Sequence, residues 1–161
     1  DRNKDRLISD ILHSLENKKN IYLRAPNYVR PWQHILDLCN ALLILSRSIA
    51  GKKILTIYNL GIKERKNMTV KSLTNLFYKN YSANNLELLK KVKIKLKKKK
   101  IIETKRLILN TSKFHSKFKN IYKLSQKESV EWTSSWFLSE KNGVSNYTNT
   151  KEQIDRYAKK N

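Results

Sequence analysis

Two prolines, Pro26 and Pro31, lie between two apolar helical patterns of this 161-residue chain. Proline lacks a backbone N–H and clashes with the preceding helical turn, so no helix can run through this segment. Before it, apolar residues at helical spacing predict a helix from Asp5 to Asn17, and Ile21 to Arg24 is predicted to be a short strand. After it, Trp32 to Leu36 is predicted to form a strand or the start of one. A turn that contains Pro26 is therefore expected between the two helical patterns.

Apolar periodicity predicts further helices and strands downstream. Asp37 is a suitable N-cap for an apolar helix from Leu38 to Ile49, which Gly51 would end. Thr69 is expected to cap a helix whose inner face carries Val70, Leu73, Leu76, Phe77 and Tyr81. Three more strands are predicted, namely Ile54 to Asn59 closed by Gly61, a strand in which Val92, Ile94 and Leu96 alternate with lysines, and Leu107 to Leu109.

Capping signals dominate the last third of the chain. Ser112 is expected to cap a short helix that contains Phe114 and Phe118. Ser125-Gln-Lys-Glu128 is a capping box that opens a helix ending at Gly143, and Thr150-Lys-Glu-Gln153 is a second box that opens a terminal helix with Ile154 and Tyr157. Strands and helices that mix without an internal repeat predict an α/β (mixed α+β) fold, in a single domain over residues 1–161.

The net charge of +22 raises the hypothesis of nucleic-acid binding. Lysine supplies most of the 35 basic residues and is spread along the chain, with one dense run from Lys90 to Lys100. A dedicated nucleic-acid binder more often concentrates its cations on one face and interleaves aromatic residues. A solvated or compositionally drifted surface is therefore the favoured interpretation, and a basic nucleic-acid-binding module is the alternative.

Cysteine usage and hydropathy indicate the compartment. The single cysteine, Cys39, excludes an internal disulfide and suits a reducing environment. The chain does not open on a secretory signal pattern, and its longest apolar stretch, Leu38 to Leu45, is far too short to span a bilayer. We therefore expect a cytoplasmic protein without membrane contact. One cysteine and three scattered histidines show no metal-ligand spacing, so no metal site is predicted.

The segment around the prolines also concentrates side chains that bind anions. Arg24 and Arg30 bracket Pro26, and Arg30 opens the run Arg30-Pro-Trp-Gln-His34. The planar guanidinium fork of arginine matches two phosphate oxygens at once. This segment is therefore the first candidate for a phosphate-binding site.

Arg30-Pro-Trp-Gln-His34 resembles a signature of the CDP-glucose 4,6-dehydratases, which are extended short-chain dehydrogenase/reductases of the NAD-dependent epimerase/dehydratase family. Further similar motifs follow in chain order: Asp5-Arg-Leu-Ile8 with Asp10, Tyr58-Asn-Leu-Gly61, Glu103 to Lys113, Glu131-Trp132, and Gln153-Ile154 with Tyr157. The resemblance implies the C-terminal substrate-binding portion of such an enzyme, without the N-terminal Rossmann βαβ units, and so a fragment of a larger protein.

That family implies a lyase of nucleotide-sugar metabolism and deoxysugar biosynthesis, which uses NAD to oxidise a hexose and then eliminates water. The glycine-rich turn that holds NAD is missing, since the only glycines are isolated at 51, 61 and 143. Tyr147 to Lys151 spells Tyr-x-x-x-Lys, but chance explains it in a chain this rich in both residues, and it is expected in a polar loop. We therefore assign no catalytic residue and expect NAD on a missing N-terminal half, a separately encoded Rossmann half being the expected partner. Alone, this chain is expected to be inactive.

The resemblance makes five residues candidates for binding the nucleotide sugar. Arg30 is expected to grip the diphosphate, with a surface ion pair as the alternative. Arg24 and Arg6 occupy positions that face the nucleotide in the family, or else are merely solvated. Glu103 is expected to hydrogen bond to the ribose or the base, or else to neutralise nearby lysines. Gln33 is expected either to contact the ligand or to pack in the protein interior.

Three neighbours of these residues have mainly structural interpretations. Trp32 is expected to pack rather than to stack on a base. His34 is expected to be a satisfied buried histidine, and Cys39 an inert core thiol. A third interpretation of the whole chain is a non-catalytic gene remnant, which would need a partner to cover the surface left bare.

Overall fold

In the described part of the chain, helices surround a short parallel sheet. This computed structural model describes residues 3, 5–50, 56–63, 67–97 and 103–160. Within them the elements are, in order, α1 (Leu7–Glu16), β1 (Ile21–Leu23), α2 (Ile35–Ile49), α3 (Val70–Tyr81), α4 (Leu86–Lys91), β2 (Ile94–Leu96), α5 (Ser112–Lys117), α6 (Gln126–Lys141) and α7 (Asn146–Ala158). The α/β class predicted from the sequence is confirmed.

The two strands are parallel, and the register pairs Tyr22 of β1 with Lys95 of β2. Parallel neighbours need a long crossover, which here includes α2, α3 and α4. Ile21 and Leu23 are buried, whereas Tyr22 between them is 56% exposed, so the sheet has one core face and one solvent face. The predicted strands at Ile21 to Arg24 and around Ile94 are confirmed, although α4, which the sequence did not predict, takes up Lys90 and Lys91.

The main core lies on the buried face of this sheet. α1 and α3 line it with apolar residues at helical spacing, as the sequence predicted, and Thr69 caps α3 by accepting a hydrogen bond from the backbone N–H of Ser72. Each fully buried Leu, Ile or Phe contributes about 1.5–3 kcal/mol relative to an exposed one. The buried members of this core are Ile11, Leu12, Leu15, Ile21, Leu23, Leu73, Phe77, Tyr81, Leu88, Val92 and Val130.

The start of α2 differs from the prediction. Trp32 to Leu36 does not form a strand, because α2 begins at Ile35 with His34 as its N-cap. The Nδ1 atom of His34 accepts a hydrogen bond from the backbone N–H of Leu36 at 3.2 Å. The prediction that Asp37 caps this helix is therefore wrong. Asp37 lies buried in the first turn of α2, where its carboxylate accepts hydrogen bonds from Lys123 and Tyr157 instead of from the helix start.

One face of α2 packs and the other is open. Ala41 is buried against Phe114 and Phe118 in a second core cluster. On the other face, Cys39 is exposed together with apolar side chains, so the prediction of a core thiol is wrong. Sequence periodicity finds an apolar face but cannot say whether another element covers it. These exposed apolar residues of α2 are Ile35, Leu42, Leu43 and Ile49.

Two predicted strands are wrong within the described residues. Residues 56–59 and 107–109 form no strand, and Ile57 is 85% exposed; residues 54 and 55 lie outside the described part. Next to the second segment, Arg106 makes a single bridge with Val29. An apolar run becomes a strand only where a neighbouring segment pairs with it over several residues.

The capping box at Ser125 and Glu128 is confirmed and opens α6. The helix is followed by Gly143, whose φ of +86° is the left-handed conformation that glycine tolerates after a helix. α5 begins at Ser112, so Thr111 rather than Ser112 stands at its N-cap position.

The predicted start of the terminal helix at Thr150 is wrong. α7 begins at Asn146, and the side chain of Ser145 caps it by accepting a hydrogen bond from the backbone N–H of Thr148. Thr150 instead accepts a hydrogen bond from Trp136 Nε1 at 3.1 Å. Tyr147 and Lys151 therefore lie on a helix rather than in a loop, and both are exposed.

Across the described ranges, the structure contains no helix with the length and apolar character needed to cross a membrane. In the same part of the chain, no three His, Cys, Asp or Glu side chains are grouped so that they could hold a metal ion.

Candidate functional site

The segment that contains the two prolines is fixed over the start of α3. The first N–H groups of a helix have no partner within the helix. Here the backbone N–H of Lys71 donates to Pro26 O at 2.8 Å, and that of Val70 donates to Tyr28 O at 2.9 Å. The helix therefore holds the backbone just before Arg30 in place.

Val29 connects this segment to a distant part of the chain. It makes isolated bridges with both Thr69 and Arg106. Its N–H donates to Lys105 O at 2.9 Å, and its C=O accepts from the N–H of Leu107 at 3.1 Å. These bonds bring Glu103 next to Arg30.

The guanidinium of Arg30 is held by three hydrogen bonds. Nη1 donates to Val29 O and Thr104 O at 2.9 Å each, and Nη2 donates to Glu103 Oε2 at 2.8 Å. The Arg30 side chain is 21% exposed and that of Glu103 is 60% exposed. Among the described residues, Nε and the second Nη2 hydrogen have no acceptor. The fork is therefore preoriented while part of its donor capacity stays open.

A groove of about 850 Å³ lies between α1, β1 and this segment. It is lined by four of the five residues selected from the sequence: Arg6, Arg24, Arg30 and Glu103. Gln33 is not among the lining residues; its Oε1 is buried beside Gly61 and has no hydrogen-bond partner among the described residues. The tertiary structure thus gathers residues from three separate stretches of the chain at one groove.

Both cations and carboxylates line the groove. Arg24 Nη2 lies 3.5 Å from Asp5 Oδ1, a loose and largely exposed pair. Arg6 and Lys97 also line the groove and form no ion pair with a described residue. Arg6 and Lys97 are therefore open to an anionic ligand. Arg24 and Arg30 are paired with exposed carboxylates that a phosphate can replace.

Three aromatic rings line the same groove. Trp32 packs against the main core and donates from Nε1 to Met68 O at 3.2 Å, which supports the packing role predicted for it. The guanidinium of Arg30 lies over the ring of Tyr28, with Cζ 5.4 Å from the ring centre. Sequence reasoning missed Tyr22, although its position between two buried strand residues is the period-two signal of an exposed side chain. Sequence reasoning also missed Lys97, because nothing distinguishes one lysine from the many others in this part of the sequence.

Within the residues that the structure describes, no glycine-rich turn forms a cradle for the pyrophosphate of NAD. Such a cradle needs several glycines within one turn at the start of a helix. Gly61 lies among side chains, with Thr111 Cγ2 3.3 Å from the position of an added β-carbon, and Gly143 follows the end of α6.

His34 is a buried N-cap, as expected of a satisfied histidine.

No protein-family model matches this chain. Over 74 residues, or 45% of the chain, it is 34% identical to the CDP-glucose 4,6-dehydratase of Salmonella typhimurium strain LT2. The matched segment covers 21% of that protein. The chain is thus distantly related to a sugar-nucleotide dehydratase over part of its length.

Proposed function

We propose that the groove binds the nucleotide diphosphate of a sugar nucleotide such as CDP-glucose. In this function the chain is the substrate-binding part of a CDP-glucose 4,6-dehydratase-like lyase. The observation that carries the proposal is the meeting of Arg6, Arg24, Arg30 and Glu103 at one groove. The partial similarity to a CDP-glucose 4,6-dehydratase supports the choice of ligand.

Arg30 is the main diphosphate ligand in this proposal. Its two open N–H positions receive phosphate oxygens, while the carbonyls of Val29 and Thr104 keep the fork oriented. Arg6 and Arg24 add charge along the groove. Glu103 either moves away from Arg30 or accepts a hydrogen bond from a hydroxyl or amine of the ligand.

The oxidation requires NAD, which supplies hydride transfer when bound, and we assign it to a Rossmann unit outside residues 1–161. The open apolar face of α2 is the surface that we assign to contact with this unit. Its four exposed apolar residues stand beside one exposed charge, Arg47, on a chain of net charge +22. An apolar patch on so charged a chain is typical of an interface.

Calorimetric titration of CDP-glucose into the chain, alone and with a separately expressed NAD-binding unit, tests the proposal. Arg30→Lys keeps the charge and loses the fork, so affinity should fall by about tenfold or more. CMP should bind more weakly than CDP, because the β-phosphate is lost.

Arg47→Gln is the matched control, since Arg47 is exposed on α2 and does not line the groove. It should leave CDP-glucose affinity unchanged for the chain alone. A folded protein that binds no CDP-glucose in either setting would contradict the proposal, as would an Arg30→Lys variant that binds as tightly as the original.

A further inference from the structure

The solvent face of the two-stranded sheet combines lysines with an aromatic ring. Tyr22 and Lys95 are register partners, so their side chains leave the sheet on the same side. Lys93 precedes Lys95 by two positions and therefore lies on that side too. All three are exposed, and Tyr22 keeps 56% of its surface open to solvent.

Carboxylates do not neutralise these lysines. Within the described residues, Lys93, Lys95 and Lys97 form no ion pair. Glu87, by contrast, binds Lys18 at 2.8 Å and Lys91 at 2.9 Å, and these contacts lower its pKa to about 2. The sheet face therefore presents uncompensated positive charge.

This face continues into the groove. Tyr22, Arg24 and Lys97 line the groove, as do the rings of Tyr28 and Trp32. Cations that track a backbone, together with rings on which bases stack, are the two components of single-strand recognition. A bilayer surface is flat and cannot follow the cations into a groove, so a flexible polyanion fits better than anionic lipid.

We propose that single-stranded nucleic acid binds across this sheet face. Its phosphates contact Lys93, Lys95 and Lys97, and one base stacks on Tyr22. The sheet thus places three lysines on one face with an aromatic ring beside them, an arrangement that the spread of lysines along the sequence does not reveal.

The test is the fluorescence anisotropy of a labelled single-stranded oligonucleotide of about 12 nucleotides, titrated with the full chain at several salt concentrations. Each lost phosphate contact removes about 0.7 from the slope of log affinity against log salt. Lys93→Gln with Lys95→Gln should therefore reduce the slope by about 1.4 and weaken binding by about tenfold or more at 0.1 M salt.

Lys79→Gln with Lys119→Gln is the matched control, because both lysines are exposed, lie on other parts of the chain and carry the same total charge. This pair should leave the salt slope unchanged. Tyr22→Ala should weaken binding by about fivefold or more at unchanged salt slope, because it removes stacking and no charge.

Equal losses from the two lysine pairs would overturn the proposal, since binding would then follow net charge alone. So would binding to vesicles with anionic lipid but not to the oligonucleotide, or affinity that does not change with salt. Lys93 and Lys95 do not line the groove, so their double variant should still bind CDP-glucose as the original does. The failure of one proposal is thereby distinguished from failure of the other.

Discussion

Asp37 joins three parts of the chain that are distant in sequence. Its Oδ1 accepts hydrogen bonds from the backbone N–H of Lys123 at 2.8 Å and from the hydroxyl of Tyr157 at 2.6 Å. Asp37 is completely buried, and its Oδ2 has no partner among the described residues. Burial, with the bond to Asp37, raises the pKa of Tyr157 above its usual range, so the hydroxyl remains a donor. A single carboxylate thus attaches both α7 and the segment before α6 to α2.

Asp37→Ala should lower the free energy of unfolding by about 3 kcal/mol, because it leaves the buried hydroxyl of Tyr157 and the partly buried N–H of Lys123 without an acceptor. Tyr157→Phe removes only one of these bonds and should cost about 1–2 kcal/mol. Urea denaturation followed by circular dichroism measures both. Asp155→Ala, which breaks only an exposed pair with Lys151, is the control and should cost under about 0.5 kcal/mol. Equal losses for Asp37→Ala and Asp155→Ala would contradict this role.

His34 makes the start of α2 sensitive to pH. Burial lowers its pKa below the ordinary 6.5, and Asp37 only partly opposes this effect. Nδ1 accepts the capping hydrogen bond, so protonation at that atom would abolish the cap. As the pH falls below 6.5, the imidazole of His34 takes up a proton more readily in the unfolded chain than in the folded chain. The neutral His34 cap therefore stabilises the folded chain fully above pH 6.5, and this stabilisation is lost as the pH falls below that value.

Between about pH 7.5 and pH 5.5, the original chain should lose more unfolding free energy than His34→Asn, because only the original chain carries a histidine whose pKa is lowered by folding. Asparagine is a good N-cap and does not titrate, so this variant keeps the cap and removes the proton-binding site. Urea midpoints at the two pH values give the comparison. Parallel pH profiles for both proteins would show that His34 titrates alike in the folded and unfolded chain.

At the scale of elements, side-chain caps decide where the C-terminal helices begin. Ser125 and Glu128 cap α6 reciprocally, and Lys160 from the end of the chain bonds Glu128 at 2.8 Å. These bonds lower the pKa of Glu128 to about 2. α7 starts after the N-cap Ser145 and not at the box predicted at Thr150. The earlier start adds the turn that carries Asn149, whose side chain donates to Trp136 O at 2.7 Å.

Ser145→Ala should therefore lower the unfolding free energy by about 1 kcal/mol through loss of the α7 cap. Thermal or urea denaturation measures it. Ser135→Ala is the matched control, because Ser135 is exposed in the interior of α6, where alanine is a better helix former. Should Ser145→Ala be as stable as Ser135→Ala, the helix start assigned here would be wrong.

The whole molecule is dominated by positive charge. A net charge of +22 on 161 residues favours expansion through self-repulsion. The ion pairs within the described residues are mostly exposed, such as Lys18 with Glu87 and Lys151 with Asp155, and so offset little of it.

Raising the salt concentration from about 10 mM to about 100 mM shortens the Debye length from roughly 30 Å to 10 Å and should screen this repulsion. The urea midpoint of the chain should therefore rise with sodium chloride. Sodium sulfate at equal ionic strength should raise the midpoint equally if screening alone acts, and a larger rise would show that sulfate stabilises the chain by more than screening. A midpoint that falls with added chloride would mean that local ion pairs outweigh the net repulsion.

Local chemistry explains which elements were predictable from the sequence. The periodicity of α1 and α3, the capping box of α6 and the glycine after it depend on neighbours within a few residues, and all are found in the structure. A strand, such as those predicted over 54–59 and 107–109, depends on a pairing partner elsewhere in the chain, which local sequence does not contain. Asp37 could cap α2 locally or bond to a distant part of the chain, and in the structure it bonds to Tyr157.

The candidate site divides in the same way. The sequence by itself determined the fold class, most helices, the excess of positive charge and the types of side chain able to bind phosphate. Only the tertiary structure decided that Arg6, Arg24, Arg30 and Glu103 share a groove, that Gln33 does not line it, and that Tyr22 stands among lysines on an open face. Helix signals are local because each helical hydrogen bond joins residues four apart. A groove between α1, β1 and the Pro26 to Pro31 segment depends on long-range bridges such as that between Val29 and Arg106, which no local pattern encodes.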